Sequence, residues 1–169
     1  MTYEDLYHGS PVKGIKQFDL AKNTRDYRCE SDDVVVYWAT DDPQVAKSYA
    51  NDPELGIGSV YTVNLEINKL FDTRTAECRE IYDRLVREIE DEDDIWTQGA
   101  AQTGYAEDEV ACEGIDRCYL PYYMNNDWLI PAIQALGYDG LLVSPGGGVV
   151  EYGVFDPSQI TILEEREVK

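Results

Sequence analysis

The stretch GGGVVEYGVFDPSQI, residues 146–160, decides the reading of this chain. A glycine loop leads into it, and Asp156-Pro157-Ser158 closes it with residues that favour a turn. Between the two, side chains alternate. Val149, Glu151, Gly153 and Phe155 fall on one face, and Val150, Tyr152, Val154 and Asp156 on the other. That period of two predicts a β-strand. Glu151 then shares a face with apolar residues on both sides. A carboxylate in such a place is costly unless it is paired, hydrogen-bonded or facing a cleft.

Outward from this strand, the chain reads as mixed α+β with many short strands. EDLYH (4–8) is a short strand running into the turn GSP, and Ile15 and Phe18 are core anchors at helical spacing. Residues 21–33 are polar and read as a loop. VVVYWAT (34–40) is strongly β-prone. Asp42 is suited to cap a helix and Pro43 to begin it, with Val45 and Tyr49 one turn apart on one face. GSVYTVNLEI (58–67) alternates, with Tyr61, Val63, Leu65 and Ile67 inward. Ile81, Leu85 and Ile89 give an amphipathic helix over about 74–90. The acidic run EDEDD (90–94) opposes the helix dipole there and predicts fraying into a solvated loop. It lacks the spacing of a calcium loop. Residues 97–126 have no clean period, so about 90–126 reads as an acidic irregular insertion with a short helix. DWLIPAIQAL is a helix stopped by Gly137. YDGLLVS is a strand, PGGG a loop and TILEERE a last strand. With no internal repeat and no linker composition, residues 1–169 form one domain.

The formal net charge of -20 argues against a nucleic-acid backbone or an anionic membrane as partner. No apolar run approaches the roughly 20 residues that span a bilayer. MTYEDLYHGS has no basic stretch followed by an apolar one, which predicts no signal peptide and a cytoplasmic location. The cysteines at 29, 78, 112 and 118 form no C-x-x-C pair, and His8 is the single histidine, so no metal is expected. Reduced thiols fit that location, with a Cys112–Cys118 bridge as the other arrangement.

Three segments hold polar or aromatic groups that their local pattern does not need: His8-Gly9-Ser10, then Tyr37 with Tyr49 one short helix later, then Glu151. In the order YHGS, VYWATDDPQVAKSYA, EYGVFDPSQI, the chain resembles the ADP-ribosyltransferases of the diphtheria-toxin and poly(ADP-ribose) polymerase type. These carry a His-Tyr-Glu triad: an H-G-[ST] step, a Y-F-A-like strand end before a short helix with a second tyrosine, and E-Y-x-V-[YF]-D. The matching residues here are His8-Gly9-Ser10, Tyr37-Trp38-Ala39 with Tyr49, and Glu151-Tyr152-Gly153-Val154-Phe155-Asp156.

The resemblance implies two small, mostly antiparallel sheets packed together, flanking helices, and an NAD cleft between the sheets. It implies NAD as substrate and no metal. Glu151 would hydrogen-bond the nicotinamide-side ribose 2′-hydroxyl and stabilise the developing cation. His8 would hold the adenosine-side ribose. Gly9 would bind the carboxamide through its backbone, with Ser10 beside it. Tyr37 and Tyr49 would stack on the charged ring. The polymerase branch has a serine on the short helix; here Ala46 stands near that place and Ser48 is displaced from it. The arginine-specific branch has an acidic or amide residue two before the glutamate, where this chain has Val149. The expected activity is mono-ADP-ribosylation of a protein by a phage or bacterial effector. The competing readings are an NAD glycohydrolase toxin and an inactive acidic decoy for a basic partner.

Overall fold

The computed structural model describes residues 1–18, 36–53, 55–89, 126–146 and 148–169. The expected loop at 21–33, the start of the strand at 34–35, the EDEDD run and the insertion up to 125 lie outside the described residues, as do Cys29, Cys112 and Cys118.

The elements run β1 (Thr2–Ser10), β2 (Tyr37–Thr40), α1 (Pro43–Tyr49), β3 (Asn51–Asp52), β4 (Gly56–Ile57), β5 (Ser59–Glu66), β6 (Leu70–Asp72), α2 (Ala76–Ile89), α3 (Asn126–Ala135), β7 (Gly140–Gly146), β8 (Val149–Val154) and β9 (Ile160–Glu167). A short 3-10 turn, Pro157–Gln159, stands before β9. Seven strands form one sheet in the order β6-β7-β8-β2-β1-β5-β9, and β3 and β4 pair as a small hairpin. All pairings are antiparallel except β6 with β7.

The expectation of two separate sheets needs correction. The strands are hydrogen-bonded into one sheet, but the seam between β1 and β2 holds a single register pair, Tyr7↔Thr40. The sheet folds over on itself there. Tyr3 on β1 reaches Tyr152 on β8, with ring centroids 4.9 Å apart, although β2 lies between those strands. Ile67 after β5 presses on Gly140 of β7, where an added Cβ would stand 2.7 Å from it. The enclosed cluster is Leu6, Phe18, Tyr37, Ala39, Tyr61, Val63, Leu65, Ile67 and Val154. A second cluster, built on Phe71, Tyr82, Ile130, Ile133, Tyr138, Leu141 and Val143, joins α2 and α3 to β6 and β7. Burying one such side chain is worth about 1.5–3 kcal/mol.

Local chemistry explains most of the elements. Asp42 caps α1 by accepting from the Gln44 amide at 2.7 Å, with Pro43 next in line. Gly137 has φ 83°, and Gly137 N donates to Gln134 O at 2.8 Å while Tyr138 N donates to Ile133 O at 3.3 Å. That is a Schellman stop, which a glycine makes cheaply. Tyr61, Val63, Leu65 and Ile67 are all buried, as their alternation requires. Several elements differ from the sequence reading. Ile15 and Phe18 do pack into the core, but the segment around them is not helical. β7 continues through Pro145 and Gly146 instead of ending at Ser144. The hairpin of β3 and β4 and the short strand β6 were not expected, because two or three residues carry too little periodicity to be read. Among the described residues no helix is long and apolar enough to cross a membrane.

Candidate active site

Glu151 lies in the middle of the sheet, opposite Thr40 of β2 on one side and Val143 of β7 on the other. It is 3% exposed. Its Oε1 accepts a hydrogen bond from the Tyr49 hydroxyl at 3.3 Å. Its Oε2 is buried and accepts no hydrogen bond among the described residues. Burial pushes the Glu151 carboxyl above the usual carboxylate range; the Tyr49 hydrogen bond opposes this, and the negative charge of Asp41 adds to it. Folded proteins rarely leave a buried carboxylate oxygen unpaired, and a buried acid with a raised pKa marks a candidate site.

The helix that delivers Tyr49 is seated by two small residues. Ala46 is fully buried, and a Cβ on Gly9 would lie 1.7 Å from the Ala46 carbonyl oxygen. Gly9 is therefore required by helix packing, a demand its turn-like sequence context did not show. Thr40, Asp41 and Asp42 form the joint between β2 and α1. Asp41 N donates to Val150 O at 3.2 Å, and Val150 N donates to Asp41 Oδ1 at 3.0 Å. Asp42 N donates to Thr40 Oγ1 at 3.2 Å. The residue before Glu151 is thus tied to the joint that aims α1.

His8 has a different environment. Its Nδ1 lies 2.7 Å from the Trp38 carbonyl across the seam. A carbonyl only accepts, so Nδ1 carries the proton, and in the neutral ring Nε2 is the acceptor. Phe18 meets the His8 ring edge-on at 4.7 Å and the Tyr37 ring at 5.9 Å, and Tyr61 lies 6.4 Å from His8. His8, Phe18, Tyr37 and Tyr61 make one aromatic group inside the folded sheet.

Strand parity separates the expected residues. Thr40 pairs with Glu151 and Trp38 with Gly153, so Trp38, Thr40 and Glu151 share a face. Tyr37 pairs with Val154 and points to the other face, where it is buried with Leu6 and Val63. The structure brings Tyr49 to Glu151 and Tyr37 to the His8 group; it does not place the two tyrosines on one side. Ser10 is buried, and its Oγ accepts from Val12 N at 3.1 Å, holding the turn after β1. Ser48 is exposed, and its Oγ donates to Val45 O at 2.7 Å in its own helix. Sequence reading passed over Asp41 and Trp38. Alternation puts Trp38 and Thr40 on one face of β2, but only the long-range register shows that Glu151 shares it; for Asp41 only a T-D-D run marked a strand-to-helix joint.

A search of curated proteins and a search of solved structures each returned no match. The family model described as ADP-ribosyltransferase in polyvalent proteins matches residues 4–167. That span holds both halves of the folded sheet, the capped helix of Tyr49 and the buried Glu151, and on it the chain belongs to this family of ADP-ribosyltransferase domains.

Proposed function

We propose that this chain is a mono-ADP-ribosyltransferase that cleaves NAD between nicotinamide and ribose and passes ADP-ribose to a protein acceptor in the cytoplasm of a bacterial or phage-infected cell. The observation that carries the reading is the Glu151 carboxylate, 3% exposed, with Oε1 oriented by Tyr49 and Oε2 accepting no hydrogen bond among the described residues. In the reaction the bond between ribose C1′ and the pyridinium nitrogen breaks. Its electron pair leaves with neutral nicotinamide, and positive charge develops on the ribose. An ionised Glu151 stabilises that charge, and its unpaired oxygen is suited to accept from a ribose hydroxyl. Burial strengthens the interaction by excluding water. The acceptor's nucleophile then bonds to C1′, and its proton passes to Glu151 or to solvent.

On this reading His8 holds the adenosine-side ribose, and its bond to the Trp38 carbonyl fixes the ring for that task. The Gly9 backbone and Ser10 are proposed to meet the carboxamide end. Tyr49 stacks on the nicotinamide as well as orienting Glu151. Tyr37 acts through the Phe18 aromatic group beside His8, and Ser48 is the weakest of the proposed NAD contacts because its hydroxyl donates into its own helix. The charge of -20 supports a basic acceptor protein and speaks against nucleic acid and anionic membrane as partners.

The test is nicotinamide release from NAD together with mass gain on bacterial lysate proteins, by wild type and Glu151→Gln. One ADP-ribose unit added to a protein, lost in the variant, supports the proposal. Nicotinamide release without any labelled protein would make water the acceptor, and no release with either would overturn the enzyme reading.

A further inference from the structure

We propose that Asp41 is a positioning residue of the Glu151 site, which fixes the strand beneath Glu151 and sets a second negative charge beside it. The inference rests on Glu151 being the reacting carboxylate, as proposed above. The geometry is a two-way tie: the Asp41 amide donates to Val150 O, and the Asp41 carboxylate accepts from Val150 N. Val150 immediately precedes Glu151, and Thr40, which precedes Asp41, is the register partner of Glu151. Asp42, which follows, caps the helix that carries Tyr49. Three consecutive residues thus set the cross-strand neighbour, the backbone and the hydrogen-bond donor of one carboxylate.

The placement of Asp41 is not explained by structure alone. An asparagine would accept from Val150 N equally well. An aspartate adds charge next to a buried acid, which a purely structural brace would avoid. Among the described residues the titratable groups nearest Glu151 in the fold are Tyr49 from α1, Asp41 from the joint and Tyr7 from β1 opposite Thr40, while Tyr152 follows it on the other face of β8. Among these Asp41 and Tyr49 act on Glu151, in opposite directions. Asp41 is exposed, so its charge is also available to draw a cationic group toward the site, while Glu151 remains buried.

The substitution Asp41→Asn keeps the acceptor for Val150 N and removes the charge, whereas Asp41→Ala removes both. Two readouts are used: the midpoint of Glu151 protonation, followed by carbon-13 NMR of labelled glutamate carboxyls, and the pH profile of nicotinamide release. In D41N the Glu151 midpoint falls below that of wild type, the acid limb of the profile moves the same way, and D41N equals or exceeds wild type at the acid end. In D41A the rate falls about 10²-fold across the profile, because Val150 loses one of its two ties to the joint and Glu151 beside it shifts. An unchanged Glu151 midpoint in D41N overturns the charge role, and a D41A rate equal to wild type overturns the positioning role. The NMR readout needs no turnover. A protein that never cleaves NAD but shows the midpoint shift would sink the transferase reading and leave the Asp41–Glu151 coupling standing.

Discussion

Two carboxylates on the sheet, Glu151 on β8 and Glu165 on β9, are held in opposite ways. Glu165 Oε1 accepts from Gly14 N at 2.7 Å, from Ser59 Oγ at 2.9 Å and from the Tyr61 hydroxyl at 3.1 Å. These bonds, led by that of the Gly14 amide, lower its carboxyl below the usual range. Among the described residues Glu151 has one hydrogen-bond partner, Tyr49, and burial pushes its carboxyl the other way. The first is a satisfied clamp. It pins the 11–18 segment to β5 and β9, where Tyr61 also accepts from Ile15 N at 3.2 Å and lies 2.8 Å from Val12 O. The second, inside the sheet, has an oxygen that accepts no hydrogen bond among the described residues. That contrast is what the proposed role of Glu151 requires: a carboxylate oxygen left open for a ribose hydroxyl.

The contrast gives a ranked set of expectations. Glu151→Gln lowers NAD cleavage by about 10²–10³-fold or more, the scale of losing a main electrostatic stabiliser. Glu165→Gln leaves cleavage within a few-fold of wild type. A comparable loss in both would erase the distinction.

Gly9→Ala is next. Its Cβ would stand 1.7 Å from the Ala46 carbonyl oxygen, so α1 must move and take the Tyr49 hydroxyl away from Glu151. Overpacking of this kind costs about 1–3 kcal/mol, readable in urea unfolding, and activity falls with it. Full stability with full activity would show that α1 is not seated as described.

Tyr49→Phe removes the hydrogen bond that Glu151 accepts from Tyr49 and costs about 1–3 kcal/mol at neutral pH. The acid limb of the rate profile moves to higher pH, since that bond lowers the Glu151 pKa. Tyr61→Phe, at the clamp, costs about 0.5–1.5 kcal/mol and leaves the limb where it was.

The smallest effect is the pH dependence of stability, with opposite signs for the two acids. A raised carboxyl favours the protonated fold, so the Glu151 contribution is complete below the ordinary glutamate value and is lost as pH rises through the folded value. The Glu165 carboxyl is lowered, so its contribution is present above the ordinary value and is lost as pH falls through the folded value. Thermal unfolding of Glu151→Gln should therefore gain on wild type as pH rises above the ordinary glutamate value, whereas that of Glu165→Gln should fall behind as pH rises toward that value from below and keep a constant deficit above it. Parallel curves would contradict this.

Much of the fold was legible because it is written in short-range periodicity. The alternation of Tyr61, Val63, Leu65 and Ile67, the Asp42-Pro43 helix start and the Gly137 stop need only neighbours a few residues away. The way the sheet folds at β1–β2 was not legible, because it depends on one register pair between segments some thirty residues apart. At the site, Glu151 was visible as a charge on an apolar face. Its contact with Tyr49 spans 102 positions, and no local pattern predicts it. The resemblance names Tyr37 without saying which face of its strand it takes; the register puts Trp38 and Thr40 on the Glu151 face and Tyr37 on the other. The burial of Gly9 against Ala46 likewise depends on a tertiary approach that a glycine in an H-G-S step does not announce.

The most direct measurement is nicotinamide release from NAD by wild type, Glu151→Gln and Glu165→Gln under one set of conditions, with folding checked by circular dichroism. The account predicts release by wild type and Glu165→Gln, and its near-complete loss in a folded Glu151→Gln. Undiminished release by a folded Glu151→Gln would contradict it.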